Sequence, residues 1–180
     1  NNCTTTVAVT ILQPSTPSGS VLSQTDVDCF GNATGVLNFA GANGTAPYTF
    51  AINGGAFASN PFNGLVAGNY TITVQEANGC AGTFNATVNQ PAALTFSIAS
   101  QVNIDCFGAS TGEVTLSPTG GTAPFTYTSG ATTNTTGIFT GLSAGNISFD
   151  ITDANGCTAN VVANVTQPST GVGALIIVQN

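Results

Sequence analysis

The sequence contains no lysine, arginine, histidine, methionine or tryptophan, and only seven acidic residues among 180, for a formal charge of −7. A chain without cations has nothing with which to neutralise phosphates, so nucleic-acid binding and polybasic docking on a membrane surface are excluded together. Without histidine or lysine the usual proton carriers near neutral pH and the Schiff-base nucleophile are missing, and the chain is expected not to be an enzyme. Long apolar runs are absent too. No stretch of about 18 apolar residues occurs, so no membrane insertion is expected, and no charged-then-apolar leader opens the chain, which therefore reads as mature and soluble. Disorder is disfavoured in turn, because 42% of the residues are hydrophobic whereas disordered chains are poor in apolar residues and rich in charge. Five cysteines amid abundant Thr, Asn and Gly suit an oxidising space, so an extracellular, cell-surface location is expected.

What is present is a repeat. Cys3, Cys80 and Cys157 follow one another at 77-residue intervals, and Cys29 and Cys106 are separated by the same step. The step also carries Gln13-Pro14 onto Gln90-Pro91 and Gln167-Pro168, Pro47 onto Pro124, and Asn78-Gly79 onto Asn155-Gly156, without insertion or deletion. A fixed period of this kind marks a tandem architecture. The frame yields two whole units, 15–91 and 92–168, with 1–14 reading as the C-terminal part of a preceding repeat and 169–180 as the start of a following one. The sequence is expected to be a slice of a longer array.

Superposing the copies shows which positions face inward. Leu37 and Phe39 match Val114 and Leu116, apolar in both copies between neighbours that turn polar. Tyr70, Ile72 and Val74 match Ile147, Phe149 and Ile151, with polar residues between them. Phe84, Ala86 and Val88 recur as Val161, Ala163 and Val165, and again as Val7, Val9 and Ile11. This period of two predicts half-buried strands. The last two are joined through Glu76-Ala77-Asn78-Gly79 or Asp153-Ala154-Asn155-Gly156, a connection suited to a hairpin because Asn and Gly tolerate positive φ. Further strands are expected over 48–52, near 62–65 and near 21–27. Six or seven short strands per unit, with Gly, Pro and Asn punctuation and no helical periodicity, predict an all-β fold of tandem Ig-like antiparallel β-sandwich repeats of 77 residues.

A unit this small buries a modest core, so a covalent staple is expected. Pairing within units joins Cys29 to Cys80 and Cys106 to Cys157, leaving Cys3 to a partner outside the sequence. Pairing across units joins Cys3 to Cys29 and Cys80 to Cys106, leaving Cys157. The first is preferred, because each bridge of the second must span a final strand, a linker and a leading strand. Against it, the two turns concerned lie at opposite poles of a plain seven-strand sandwich, and the connectivity stays open.

Taken in order, these motifs resemble those of the SprB-type repeat family. The residues are Cys106-Phe107-Gly108, Gly120-Gly121-Thr122-Ala123-Pro124-Phe125-Thr126-Tyr127, Gly141-Leu142-Ser143-Ala144-Gly145-Asn146, Asp153-Ala154-Asn155-Gly156-Cys157 and Gln167-Pro168, with their first-copy counterparts. The resemblance implies a module of very long cell-surface adhesins of gliding Bacteroidota, exported by the type IX route and moved along the cell surface. Family members often carry an aromatic, commonly Trp, just after the Pro-Tyr-Thr-Tyr-like stretch; Ala51-Ile52 and Thr128-Ser129 stand there in this sequence.

Three kinds of site are candidates. Asp28, Glu76, Asp105 and Asp153 each lie near a cysteine, so within-unit bridges would bring carboxylates together as a hard-cation site of the kind calcium takes; no other cofactor is expected. The blander reading is that these acids favour turns and strand ends. Tyr48 and Tyr127, with Phe50 and Phe125, offer faces on which sugars stack, although their alternation with Thr also fits a core strand. Eight Asn-x-Ser/Thr triplets largely reflect composition. The function expected is a structural stalk or filament repeat of a long adhesin, whose partners are neighbouring repeats of the same chain and other copies in a filament. The alternative is a carbohydrate-binding repeat module recognising surface glycans.

Overall fold

The computed structural model describes residues 3–10 and 15–171, and within them every regular element is a strand. Strands β1 (Ser18–Thr25), β2 (Gly35–Ala42), β3 (Thr49–Ile52), β4 (Phe62–Leu65), β5 (Gly68–Gln75) and β6 (Ala81–Val88) come first. They are followed by β7 (Thr95–Val102), β8 (Gly112–Thr119), β9 (Thr126–Ser129), β10 (Thr132–Asn134), β11 (Ile138–Leu142), β12 (Gly145–Thr152) and β13 (Thr158–Val165). Adding 77 to the bounds of β1, β2, β3, β5 and β6 gives those of β7, β8, β9, β12 and β13. No helix among the described residues is long and apolar enough to cross a membrane.

The chain divides into two compact units. Unit 1 holds the described residues up to Val27 together with Ala33–Asn89, and unit 2 holds Asp28–Asn32 and the described residues from Gln90 onward. In unit 1 one sheet runs β1-β2-β4 and the other β3-β5-β6; in unit 2 they run β7-β8-β11 and β10-β9-β12-β13. Every pairing is antiparallel. Each unit is thus an Ig-like β-sandwich, two sheets closing on the inward faces of their strands.

Burial follows the alternation. In unit 1, Leu37, Ile72 and Val74 are fully buried, with Phe39, Phe50, Ala86, Val88 and Val27 beside them. Unit 2 encloses Val114, Leu116, Phe149, Ile151, Ala163, Val165, Tyr127, Phe139 and Ile104. The leading strand begins at Ser18, earlier than the expected 21, because Ser18, Gly19 and Ser20 extend the ladder against Ala42, Gly41 and Ala40. Its register shifts between Val21 and Ser23, a bulge that bends the edge of the sheet. The hairpins are as expected, with Gln75 opposite Ala81 and Thr152 opposite Thr158.

One strand expectation fails. Residues 3–10 form no strand, and Val7 and Val9 are 80% and 79% exposed; an alternating segment has nowhere to bury its apolar face unless a neighbour presents another. Gln13-Pro14, Ile11 and the segment 172–180 lie outside the described residues.

Candidate functional site

The repeated motifs gather in two places, one at the β5–β6 or β12–β13 hairpin and one where the leading strand ends. At the hairpin of unit 2, Asp153 N–H donates to Cys157 O (3.0 Å) and Gly156 N–H to Asp153 O (3.0 Å), with Gly156 at φ 82°. The Asp153 carboxylate, only 6% exposed, accepts from the N–H groups of Thr122, Asn155 and Cys157, each at 2.9 Å. Ala154 N–H donates to Thr122 O (2.9 Å) and the Asn155 amide to Thr122 Oγ1 (3.2 Å). The Gly-Thr-Ala-Pro loop is therefore clasped by the hairpin it faces.

Unit 1 builds the same clasp with Glu76, also 6% exposed, whose carboxylate accepts from Thr45 N–H. Ala77 N–H donates to Thr45 O (3.0 Å) and the Asn78 amide to Thr45 Oγ1 (3.2 Å). A Cβ on Gly44 would lie 2.5 Å from Glu76 Oε2, which is why glycine precedes the threonine. A buried carboxylate must be compensated, and in a chain without cationic side chains the partners are amide dipoles, here in charge-assisted hydrogen bonds.

The second cluster contains the Cys-Phe-Gly turn. Ala109 N–H donates to Cys106 O (3.1 Å), and Gly108 N–H, at φ 77°, donates to Gln167 Oε1 (2.9 Å). Ile104 N–H donates to Thr166 O (2.9 Å), and Thr166 N–H to Asn103 Oδ1 (3.0 Å). The turn at Cys29 repeats this geometry: Asn32 N–H donates to Cys29 O (3.0 Å) and Gly31 N–H to Gln90 Oε1 (2.9 Å). In unit 1 the position of Asn103 is taken by Asp26, whose carboxylate accepts from the N–H and side-chain amide of Asn89 (3.0 and 3.1 Å). The Asn89 backbone N–H, then the Gln24 and Asn89 side chains, hold the Asp26 carboxyl below its ordinary value.

The cysteine pairing corrects the sequence expectation. Cys29 is bonded to Cys157, both in unit 2, while Cys3, Cys80 and Cys106 are free and exposed. Neither Cys29–Cys80 nor Cys106–Cys157 forms. Within unit 2, Ile104 bonds Thr166 just beyond the end of β13, whereas Cys157 immediately precedes its start. Eight strand residues separate those ends by about 25 Å, far beyond disulfide reach. The same spacing applies in unit 1, where Val27 bonds Asn89 past the end of β6 and Cys80 precedes its start. Sequence reasoning identified the polar separation of these turns but not the partner that the Asp28–Asn32 segment finds on the β12–β13 hairpin, where the Asn155 amide also donates to Asp28 O (3.0 Å).

The same geometry separates the acids within each proposed calcium pair, Asp28 from Glu76 and Asp105 from Asp153, while the Cys29–Cys157 bond brings Asp28 to the hairpin that holds Asp153. Glu76 and Asp153 belong to the hairpin clasps, and Asp105 lies in the turn at the far end of β13 from Asp153. Asp28 Oδ1 accepts from Cys29 N–H (2.7 Å) and the Asn32 amide (3.1 Å). Among the described residues no three His, Cys, Asp or Glu side chains are grouped as metal ligands. Of the aromatics, Tyr127 is buried at 4% exposure, and that burial raises its phenol above the ordinary value. Tyr48 is half-buried; its ring covers Gly41 and its hydroxyl donates to Gly44 O (2.6 Å) and accepts from Gly44 N–H (3.0 Å). The two tyrosines are not equivalent in the repeat: Tyr48 matches Phe125, and Tyr127 matches Phe50. Sequence reasoning missed Gln90 and Gln167 as acceptors for the turn glycines, although their recurrence 59 residues after Gly31 and Gly108 was a usable signal.

No curated protein matches the chain. Among solved structures it is similar to the C-terminal 282-residue fragment of intimin in complex with the translocated intimin receptor intimin-binding domain (16% identity, TM-score 0.41, covering 82% of this chain and 63% of that one). It is also similar to three N-terminal domains of the bacteriophage RB49 outer capsid protein Hoc (14% identity, TM-score 0.44, 84% of this chain and 58% of that one). A third is the S-layer protein SbsC (19% identity, TM-score 0.34, 84% of this chain and 28% of that one). The chain thus spans less than two thirds of each of these structures. The SprB repeat model matches residues 21–57 and 98–132, beginning at positions one repeat step apart in the two copies. Each copy of the repeat thus contains one region that is similar to the SprB repeat.

Proposed function

We propose that the chain is a non-catalytic spacer: consecutive repeats of a long cell-surface adhesin, joined through Gln-Pro linkers, that hold an adhesive end away from the cell. The observation that carries this reading is the recurrence of one sandwich, with five strands of unit 1 repeated 77 residues later at the same bounds, whose motif residues are engaged in holding their own turns rather than directed at a ligand. Proline restricts the backbone at each joint. Repeats that interact chiefly with their neighbours make stability additive along an array. The two SprB repeat matches support placing the chain at the cell surface; export by the type IX route and a part in gliding belong to the same proposal, as does association with other copies in a filament.

A glycan array tests the reading against the carbohydrate-binding alternative. The spacer predicts no dose-dependent binding by the chain. Saturable binding lost on Tyr48→Ala would replace it with a sugar-binding module.

A further inference from the structure

The bond between Cys29 and Cys157 is built from two motifs that recur elsewhere in the chain without a partner. One is the Cys-Phe-Gly turn, the other the hairpin cysteine that follows Asn-Gly. The repeat step carries Cys29 onto Cys106 and Cys157 onto Cys80. Both of these are free and exposed, and each already has the scaffold of its bonded counterpart. Around Cys106, the Ala109 N–H to Cys106 O and Gly108 N–H to Gln167 Oε1 bonds (3.1 and 2.9 Å) reproduce those of Asn32 with Cys29 and Gly31 with Gln90. Around Cys80, the Glu76 N–H to Cys80 O, Gly79 N–H to Glu76 O and Asn78 amide to Thr45 Oγ1 bonds reproduce those of Asp153, Gly156 and Asn155. Phe107, beside Cys106, is 55% exposed, as Phe30 beside Cys29 is at 57%. The two halves of a second bridge are thus preformed at opposite ends of the repeat.

We infer that Cys106 of one copy of this chain forms a disulfide with Cys80 of a second copy, with the Asn78 amide of the second donating to Asp105 O of the first as Asn155 does to Asp28 O. The same pairing, of a turn cysteine with the hairpin cysteine of the repeat that follows, extends indefinitely and accounts for every Cys29- and Cys80-type cysteine in an array. The inference rests on the internal repeat and the observed bond, and stands whether or not the assembly is adhesive. Closure is an oxidation: two thiols lose two protons and two electrons to a small disulfide such as oxidised glutathione. One cysteine thiolate attacks the small disulfide and expels one small thiol; the second cysteine attacks the resulting mixed disulfide and expels the other. Hydrogen bonding of the Cys80 thiol to Glu76, with partial desolvation and the nearby carboxylate charge adding to it, raises its pKa. The reaction therefore proceeds faster at mildly alkaline pH than at neutrality.

The experiment uses the whole chain carrying Cys3→Ser, because Cys3 is also free and exposed. Thiol counting on the unreduced protein, incubation with oxidised glutathione, non-reducing electrophoresis and chymotryptic mass mapping are the readouts. The expected result is two titrating thiols before oxidation and a ladder of linked copies afterwards whose junction peptides join Cys80 to Cys106. Adding Cys80→Ser or Cys106→Ser is expected to remove every species above the dimer. Junctions between like cysteines as abundant as the mixed one would overturn the inference. Complete glutathione capping of both thiols without cross-linking, or four titrating thiols before oxidation, would do the same.

Discussion

On the rung between β5 and β6, Ile72 stands opposite Phe84; on the matching rung between β12 and β13, Phe149 stands opposite Val161. The large ring has changed sides. A second exchange accompanies it: the Phe84 ring covers Gly19 on the leading strand so closely that a Cβ there would lie 2.2 Å from it, whereas the position of Gly19 in unit 2 is Phe96, packed against the same core as Val161. Elsewhere a side chain stands in for backbone. In unit 1 the Asn60 amide both donates to and accepts from Phe39 (2.6 and 3.0 Å), and in unit 2 Leu116 N–H donates to Gly137 O (2.9 Å) instead. What the two units share is the volume filled across facing positions and the hydrogen-bonding capacity of each strand, not the residue at any one place.

The largest expected contrast between the units is covalent, since only unit 2 contains a disulfide. Reducing a link whose cysteines are 128 residues apart removes up to about 5 kcal/mol in the chain-entropy model. Calorimetry with and without reductant is expected to lower the unfolding transition of unit 2 more than that of unit 1. Next comes the exchanged pair: Gly19→Phe alone is expected to cost unit 1 about 3 kcal/mol by overpacking, and Phe84→Val added to it to return stability to within about 1 kcal/mol of the parent. Denaturant unfolding of both variants measures the coupling, and strictly additive losses would refute the exchange.

The hairpin clasps give a smaller asymmetry. Asp153→Ala removes the acceptor of three backbone N–H groups, and Glu76→Ala that of Thr45 N–H and the Cys80 thiol. Losses of about 3 and about 1.5 kcal/mol are expected, from the cost of stranded donors. At the other cluster the contrast is one of charge. Asp26 has a lowered pKa, so its contribution is present above its unfolded value of 3.8 and disappears as pH falls through the lower folded value. The Asn89 amide resonance is expected to shift with acid in that window, while that of Thr166, bonded to the untitratable Asn103, does not; Asp26→Asn abolishes the difference. Smallest of all is Tyr127→Phe, which gives unit 2 the residue that unit 1 has at Phe50 and is expected to change stability by less than about 1 kcal/mol.

The sandwich was legible because alternation survives the comparison of copies: Leu37 with Val114 and Ile72 with Phe149 name inward faces with no reference to partners. The hairpin ends were legible because Asn-Gly marks a turn locally. The disulfide was not, because local spacing carries no information on which pole of a unit a turn occupies or which segment approaches it. Two cysteines 51 residues apart suggested a staple, and a strand's length stands between them. The partners of the acids near them were hidden for the same reason: Glu76 and Asp153 serve loops 31 residues earlier in the chain. Tyr127 appeared as a ligand candidate because an alternating strand has two faces, and composition alone does not say which one the phenol takes.

The carboxylates held by amide N–H groups have one consequence for the medium in which such a protein persists. Dissolved ions weaken attraction between opposite exposed charges over a Debye length of about 8 Å at physiological ionic strength, and a fold with no cationic side chain has no such attraction to lose. Between charged side chains, all that brine can screen is the repulsion among seven like charges. Stability is therefore expected to hold or rise with added salt, where it would fall for a surface laced with lysine and glutamate.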